Sequence, residues 1–275
     1  MKNFIKVFVL CIFLTGCGVS RTVENGLQPD GAHTQQTQTQ QILTQTEQSA
    51  SQFAVNVITN GSRENKRVAL TFDADMNPKM LKDLRSGKVK SWYDEKIIAK
   101  LHGNNVPATI FMTGMWAQQY SNEVKIFAQD PLLEIENHSW DHAGFAMPCY
   151  GLPQAINKKD EIMLAQNILQ QLTGRTPIFF RFPGGCYSKE DLDLVNQQGL
   201  ETVGWDTVSG DAFSKNAAQI EKNVINGTSN GSIIVMHLNG GPNAPKTSTT
   251  LPAIIKNLHA KGFEFVLLKD LIHPN

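Results

Sequence analysis

Neither sign of charge is in excess in this chain. Its 25 lysines and arginines are matched by 25 aspartates and glutamates. A surface without a basic surplus argues against nucleic acid and against any broad acidic partner. No apolar run is long enough to span a membrane; the one near the N-terminus, residues 7–14, falls far short of about 20 residues. Aromatic residues are sparse at 8%, and no internal repeat is found. Cysteine is scarce too: four residues, two of them among the first 17. What is present is globular hydrophobic content over 275 residues, enough for one large domain or two ordinary ones with a sizeable core.

The first residues are read as a targeting segment rather than as fold. Lys2 and Lys6 precede the short apolar run, which ends in Leu14-Thr15-Gly16-Cys17. That pattern resembles the bacterial lipobox, which implies a signal peptide over residues 1–16 and a lipidated Cys17 as the mature N-terminus. An ordinary signal peptide with an incidental cysteine is the plainer alternative. Gly18 in place of an aspartate would permit outer-membrane sorting in a two-membrane cell. Residues 17–51 are Gln- and Thr-rich with almost no core formers, so they are expected to be a solvated tether. About 35 such residues reach roughly 30–35 Å. Residues 52–275 are the expected folded domain, with a leading strand at 53–58.

The stretch around which that domain is organised is Arg67-Val68-Ala69-Leu70-Thr71-Phe72-Asp73-Ala74-Asp75-Met76, closed off by Asn77-Pro78. An apolar, β-prone run ending in two acids reads as a buried strand with carboxylates at its C-terminal tip. In extended chain Asp73 and Asp75 face the same way, and a cation between them would relieve their repulsion. The bland alternative is a strand-end turn in which they cap the next segment. Strands are then expected at 108–112, 132–136, 178–182, 201–205, 233–236 and 263–268. Helices are expected at 93–102, 115–128, 158–172, 189–198, 217–226 and 251–260. Alternation of this kind predicts an α/β fold, either a parallel barrel or a doubly wound sheet.

Four more strand ends carry polar groups. His138 and His142 are four apart, matching one face of a helical turn that could present two nitrogens to one zinc. Arg181 follows a strand and can hold a carboxylate in its ionised form, and Gly184-Gly185 lets backbone N–H groups approach a ligand. Asp211 follows Trp205 in the next polar run, and His237 stands at the tip of Ile233-Ile234-Val235-Met236. Each alone reads as an ordinary turn or a hydrogen-bonded core residue.

In this order and spacing the five stretches resemble the polysaccharide deacetylases of carbohydrate esterase family four, the NodB-homology domain, over roughly residues 66–271. The resemblance implies a distorted (β/α) barrel with an incomplete ring of about seven parallel strands. It also implies one divalent metal, zinc first, and removal of acetyl groups from polysaccharides. It casts Asp73 as general base and His138 and His142 as metal ligands. Arg181 would orient the base, and Asp211 would pair with His237, the general acid. Trp205, Met236 and the Gly184 N–H would form the acetyl pocket. The family's two acids are adjacent, whereas Ala74 intervenes here, so Asp75 is preferred to Asp73 as the third metal ligand. The usual aromatic after the acid matched by Asp211 is Ala212, with Phe213 next door, which puts substrate preference in question more than chemistry. The expected function is hydrolysis of N-acetyl groups on an extracytoplasmic glycan, peptidoglycan or poly-N-acetylglucosamine-like. The alternatives are a catalytically weak glycan-binding lipoprotein on the same fold and a metal-dependent amidase or esterase of non-sugar substrates.

Cys11 leaves with the signal and Cys17 takes the lipid, so Cys149 and Cys186 are the remaining thiols of an exported domain. They follow strand-end motifs that are neighbours or near-neighbours in a barrel, and an oxidising compartment favours a disulfide between them over the alternative of two unrelated buried cysteines.

Overall fold

The computed structural model describes residues 56–274; the signal residues 1–16, Cys17, the tether at 17–51 and the start of the expected leading strand lie outside the described residues. Strand β1 (Arg67–Ala74) is the centre of the fold. It pairs in parallel with β2 (Ala108–Met112) on one side. On the other side β7 (Ile233–His237) runs along its upper part, while β8 (Glu264–Phe265) takes its first two residues. Beyond β2 come β3 (Leu133–Asn137), β4 (Phe179–Phe180) and β5 (Glu201–Thr202), and beyond β7 lies β6 (Thr207–Val208). The order is β5-β4-β3-β2-β1-β7-β6, with every pair parallel. The end strands β5 and β6 are joined by residues 203–206 alone, so the path must curl until its edges meet. The result is the incomplete, distorted (β/α) barrel of about seven strands that the resemblance implies. Ile58 bridges Val203 and Asn60 bridges Ser232. Of the expected leading strand, the described part is therefore a single bridge.

Alternation along β1 divides the core. Val68, Leu70, Phe72 and Ala74 face the helical layer, where they join Ile97, Ile110, Trp116, Met236 and Leu251. Ala69 faces the barrel interior with Phe111, Phe179 and Ile233. Burial of each large side chain in these layers contributes roughly 1.5–3 kcal/mol. Asp73 shares the inward phase of Ala69 and Thr71, so the register that builds the core also aims the acid into the barrel mouth.

Helices cover the outside, and several differ from expectation. Asn77-Pro78 starts a helix instead of closing a strand: the Asn77 side chain accepts the Met80 N–H and Pro78 occupies the first turn of α1 (Pro78–Arg85). Helix α2 (Glu95–Gly103) is capped by Asp94. The expected helix at 115–128 is two, α3 (Gly114–Gln119) and α4 (Ser121–Phe127), because Tyr120 leaves helical geometry and its hydroxyl accepts the Trp92 N–H. Helix α5 (Lys158–Thr173) ends at Gly174 in left-handed conformation, φ 70°. Helices α6 (Lys189–Gln197) and α7 (Ala217–Gly227) lie close to the expected ranges. Helix α8 (Thr247–Ala260) begins four residues early. The expected last strand shortens to β8, and the chain turns into α9 (Leu268–Ile272). Among the described residues no helix is long and apolar enough to cross a membrane.

Candidate active site

Asp73 is the last inward-facing residue of β1 and lies level with His237 of β7. Ala74 turns to the helical layer, and two side chains keep the next residue extended. Asn239 accepts the Asp75 N–H at 3.0 Å and donates to the Asp75 carbonyl at 2.6 Å. Thr113 donates to the Ala74 carbonyl at 3.2 Å and accepts the Met76 N–H at 3.0 Å. Asp73 and Asp75 therefore face one cavity with Ala74 between them.

Arg181, fully buried after β4, donates to Asp73 Oδ1 at 2.6 Å and to the Gly204 carbonyl at 3.2 Å. Its guanidinium lies 3.9 Å above the Phe111 ring and 5.5 Å from the Trp205 ring. Burial draws its pKa down, and the Asp73 carboxylate opposes that fall. With one oxygen taken by Arg181, Asp73 keeps the other 3.8 Å from His138 Nε2.

His138 and His142 do not share a helical turn, contrary to the expectation from their spacing. The chain between them is a loop with Ser139 and His142 at φ 69° and 63°, and it is held from behind. Glu161 of α5 accepts the N–H groups of both Trp140 and Asp141, at 3.0 and 3.1 Å. Burial, with nearby Asp141 adding, pushes the Glu161 carboxyl up to about 7 against those two bonds. His138 Nδ1 hydrogen bonds the Arg181 carbonyl at 2.8 Å, which makes Nδ1 the protonated nitrogen and leaves a lone pair on Nε2.

The Nε2 atoms of His138 and His142 each lie 3.5 Å from Asp75 Oδ1, and the three ligand atoms fall within 4.8 Å of one another. Bonds of 2.0–2.1 Å to one tetrahedral ion would separate ligands by about 3.3–3.4 Å. His138 Nε2 and Asp75 Oδ1 are buried without a hydrogen-bond partner, a state that costs roughly 1–3 kcal/mol per atom unless something else satisfies them. The donor set therefore fits a divalent cation. Burial pushes the Asp75 carboxyl up, but His142, His138 and His237 around it prevail and hold it far below the usual range. Burial, assisted by His138 and His237, lowers His142 and favours the neutral ring that ligates.

His237 completes the cavity. Its Nδ1 meets Asp211 Oδ1 at 2.7 Å, and its backbone N–H donates to Asp211 Oδ2 at 2.8 Å. Ser209 and Thr247 donate to the same carboxylate at 3.0 and 2.7 Å. Burial would lower the imidazole, but Asp211, then Asp75 and Asp73, raise it to about 10. Asp211 is pushed up by burial and pulled lower, on balance, by His237 and its hydrogen bonds.

The cavity above these groups is about 350 Å³, and Trp205 and Gly184 line it. Met236 does not. Strand alternation points Val235 and His237 inward and sends Met236 into the helical layer, so its expected place in the acetyl pocket is corrected to Val235. Cys149 and Cys186 are joined by a disulfide beside Gly184, with Cα atoms 5.9 Å apart. The sequence pattern does not single out Asn239, Thr113, Glu161, Ser209 or Thr247. The signal available is position, since Thr113 and Asn239 each follow a strand tip.

The polysaccharide deacetylase family model matches residues 60–203, just over half of the chain. The chain is 29% identical over 219 residues to a peptidoglycan-N-acetylglucosamine deacetylase of Bacillus cereus, spanning 78% of this chain and 72% of that one. Among solved structures it is similar to the Bc1960 peptidoglycan N-acetylglucosamine deacetylase in complex with an N-oxidanyl-benzamide. That likeness has 27% identity and a TM-score of 0.68, covering 83% of this chain and 97% of that one. A CE4 family pseudoenzyme from Bacillus anthracis is 20% identical with a TM-score of 0.64, over 80% and 69% of the two chains, a likeness of fold alone.

Proposed function

Since this chain belongs to the polysaccharide deacetylase family, we propose that it removes N-acetyl groups from an extracytoplasmic glycan in a metal-dependent hydrolysis. Peptidoglycan is the preferred substrate because the similar curated enzyme is named for it, and poly-N-acetylglucosamine is next. Asp75, His138 and His142 would hold one divalent cation, zinc first, given two imidazoles and one carboxylate. Such a cation, when bound, supplies Lewis acidity and lowers the pKa of water.

The chain's own groups account for the proton movements. Asp73, fixed by Arg181, is the base that takes the proton of the attacking water. Gly184 lines the cavity, and its N–H would be the donor to the developing oxyanion. His237, kept protonated by Asp211, gives its Nε2 proton to the departing sugar amine. Opposed acid and base roles set by opposite environments are the arrangement amide hydrolysis needs.

The observation that carries the reading is the convergence of unpartnered Asp75 Oδ1 and His138 Nε2 with two separately buried ion pairs, Asp73–Arg181 and Asp211–His237. A protein that only binds glycan has no use for both pairs. Lipidation at Cys17, an envelope location and the tether at 17–51 belong to the same proposal and rest on the sequence. Mass-spectrometric assay of acetate release from a panel of N- and O-acetylated glycans tests it. His237→Ala should cut the rate by roughly 10²–10⁴ with the metal still bound. Release from small amides but from no glycan would favour the non-sugar amidase.

A further inference from the structure

Two largely exposed aromatic rings line the cavity mouth and face each other. Tyr150 and Phe213 are each 79% exposed, their ring centroids 6.1 Å apart and their planes inclined at 43°. All their contacts together hide only about a fifth of each, so burial against one another does not explain their position.

Their setting is fixed. Tyr150 follows the buried, disulfide-bonded Cys149 and lies at φ 45°, a conformation that bulky residues rarely adopt. The Leu152 N–H closes a turn onto the Cys149 carbonyl at 2.8 Å, and the loop base is tied by Gly144 N–H to Pro153 and Ala155 N–H to Gly144. A Cβ on Gly184 would come 2.8 Å from Cys149 Sγ and 3.2 Å from Tyr150 Cδ2. Glycine there lets the stapled loop lie flat against the wall. Phe213 projects from the turn that follows Asp211, and its N–H donates to the Gly210 carbonyl.

The cavity below, at about 350 Å³, lies near the low end of ligand pockets. It has room for one sugar residue with its acetyl group, and the next ring of a polymer must lie over the rim. Contact of a sugar with an aromatic face needs about 3.5–4 Å on each side. At 6.1 Å the two rings are too close for a sugar to pass between them. They form a bent platform, and among the described residues no lysine or arginine lines the cavity to pair with an acidic sugar.

We propose that Tyr150 and Phe213 are the subsite for the neutral pyranose ring next to the one deacetylated, and so select polymer over small acetyl compounds. The inference rests on the glycan reading of the cavity. Metal-loaded wild type, Tyr150→Ala, Phe213→Ala and the double variant are to be compared on an N-acetylglucosamine pentamer and on an aryl acetate. The ratio of their kcat/KM values should fall about tenfold in the double variant, chiefly through KM for the pentamer. Tyr150→Phe with Phe213→Tyr should restore it. An unchanged ratio overturns the proposal, because a merely structural role lowers both activities together. Pentamer binding is followed separately by calorimetry. Wild type that binds the pentamer but releases no acetate ends the deacetylase reading, and the platform then stands if the double variant loses that binding. Equal binding by both proteins, or none by wild type, removes the platform.

Discussion

Replacing both Cys149 and Cys186 by alanine removes the one covalent link between two loops that flank the cavity. The cysteines are 37 residues apart in sequence. In the chain-entropy treatment, freeing a loop of that length restores about 13 cal/mol/K to the unfolded chain, or about 4 kcal/mol at 25 °C. Alanine is preferable to serine because Cys149 is buried, and a hydroxyl there would need a partner of its own. The loss is a large part of the 5–15 kcal/mol that holds a typical domain. At roughly 2–4 °C per kcal/mol for a domain of this size, the melting temperature should fall by about 8–16 °C. Urea unfolding of the two proteins gives the difference directly. The denaturant slope should steepen in the variant, because an unlinked chain exposes more surface when it unfolds. A difference below about 1 kcal/mol with an unchanged slope would refute the argument. So would two thiols that alkylate without reductant in protein purified from its natural compartment.

Three further outcomes follow from the geometry. Asp75→Ala should abolish zinc binding by calorimetry while Asp73→Ala retains it and loses turnover; the reverse pattern would exchange the two roles. Asp211→Asn removes the leading cause that raises His237. Because the folded value of about 10 lies above the unfolded 6.5, the pair's contribution is complete below about 6.5 and is lost as pH rises through 10. The stability gap between wild type and this variant, measured with chelator present, should narrow across that window, and a constant gap would contradict the assignment. Glu136 is inward-facing on β3, and burial, then Glu134, raises its carboxyl well above the usual value. Its proton is therefore bound more tightly in the folded chain, and stability falls as pH rises through the folded value. Glu136→Gln still accepts from Ile178 and Phe179. It should match wild type at acid pH and exceed it above neutrality in urea titrations, and equal stability at pH 8 would count against a perturbed carboxyl.

Strand tips are legible because a long apolar run that stops at a polar residue fits little besides a buried strand reaching the rim of a sheet. Strands β1, β2, β3 and β7 all fall where that pattern places them. Two-residue β6 is not legible, since Thr207-Val208 carries too little periodicity to separate from the loop around it. Asn77-Pro78 reads as a stop although the same pair is a helix start, and only the Met80 N–H bonded to Asn77 distinguishes them. His138 and His142 do come together, but through left-handed residues that no spacing rule announces. Ala74 between the acids is the clearest departure from the family pattern. The clamp by Asn239 and Thr113 that makes it tolerable joins residues about 164 and 39 positions away. Side chains that position other side chains leave no local pattern, because their partners are fixed by topology.

The closure of the sheet by residues 203–206 bears on how wide the mouth is. Elsewhere the bore is set by hydrogen-bonded ladders whose spacing cannot change without loss of pairing. At this seam it is set by the length of one short covalent strap, which carries Trp205 on the cavity wall. Arg181 grips the strap from inside through the Gly204 carbonyl, and the Gly204 N–H is fastened to the Ile58 carbonyl. The strap is tied at both ends as well, Val203 N–H to the Phe180 carbonyl and Asp206 N–H to the Ile233 carbonyl, so a change of length would be taken up at Gly204-Trp205. The width of the mouth and the position of the acid are thus tied together, because Arg181 holds the strap and Asp73 at once.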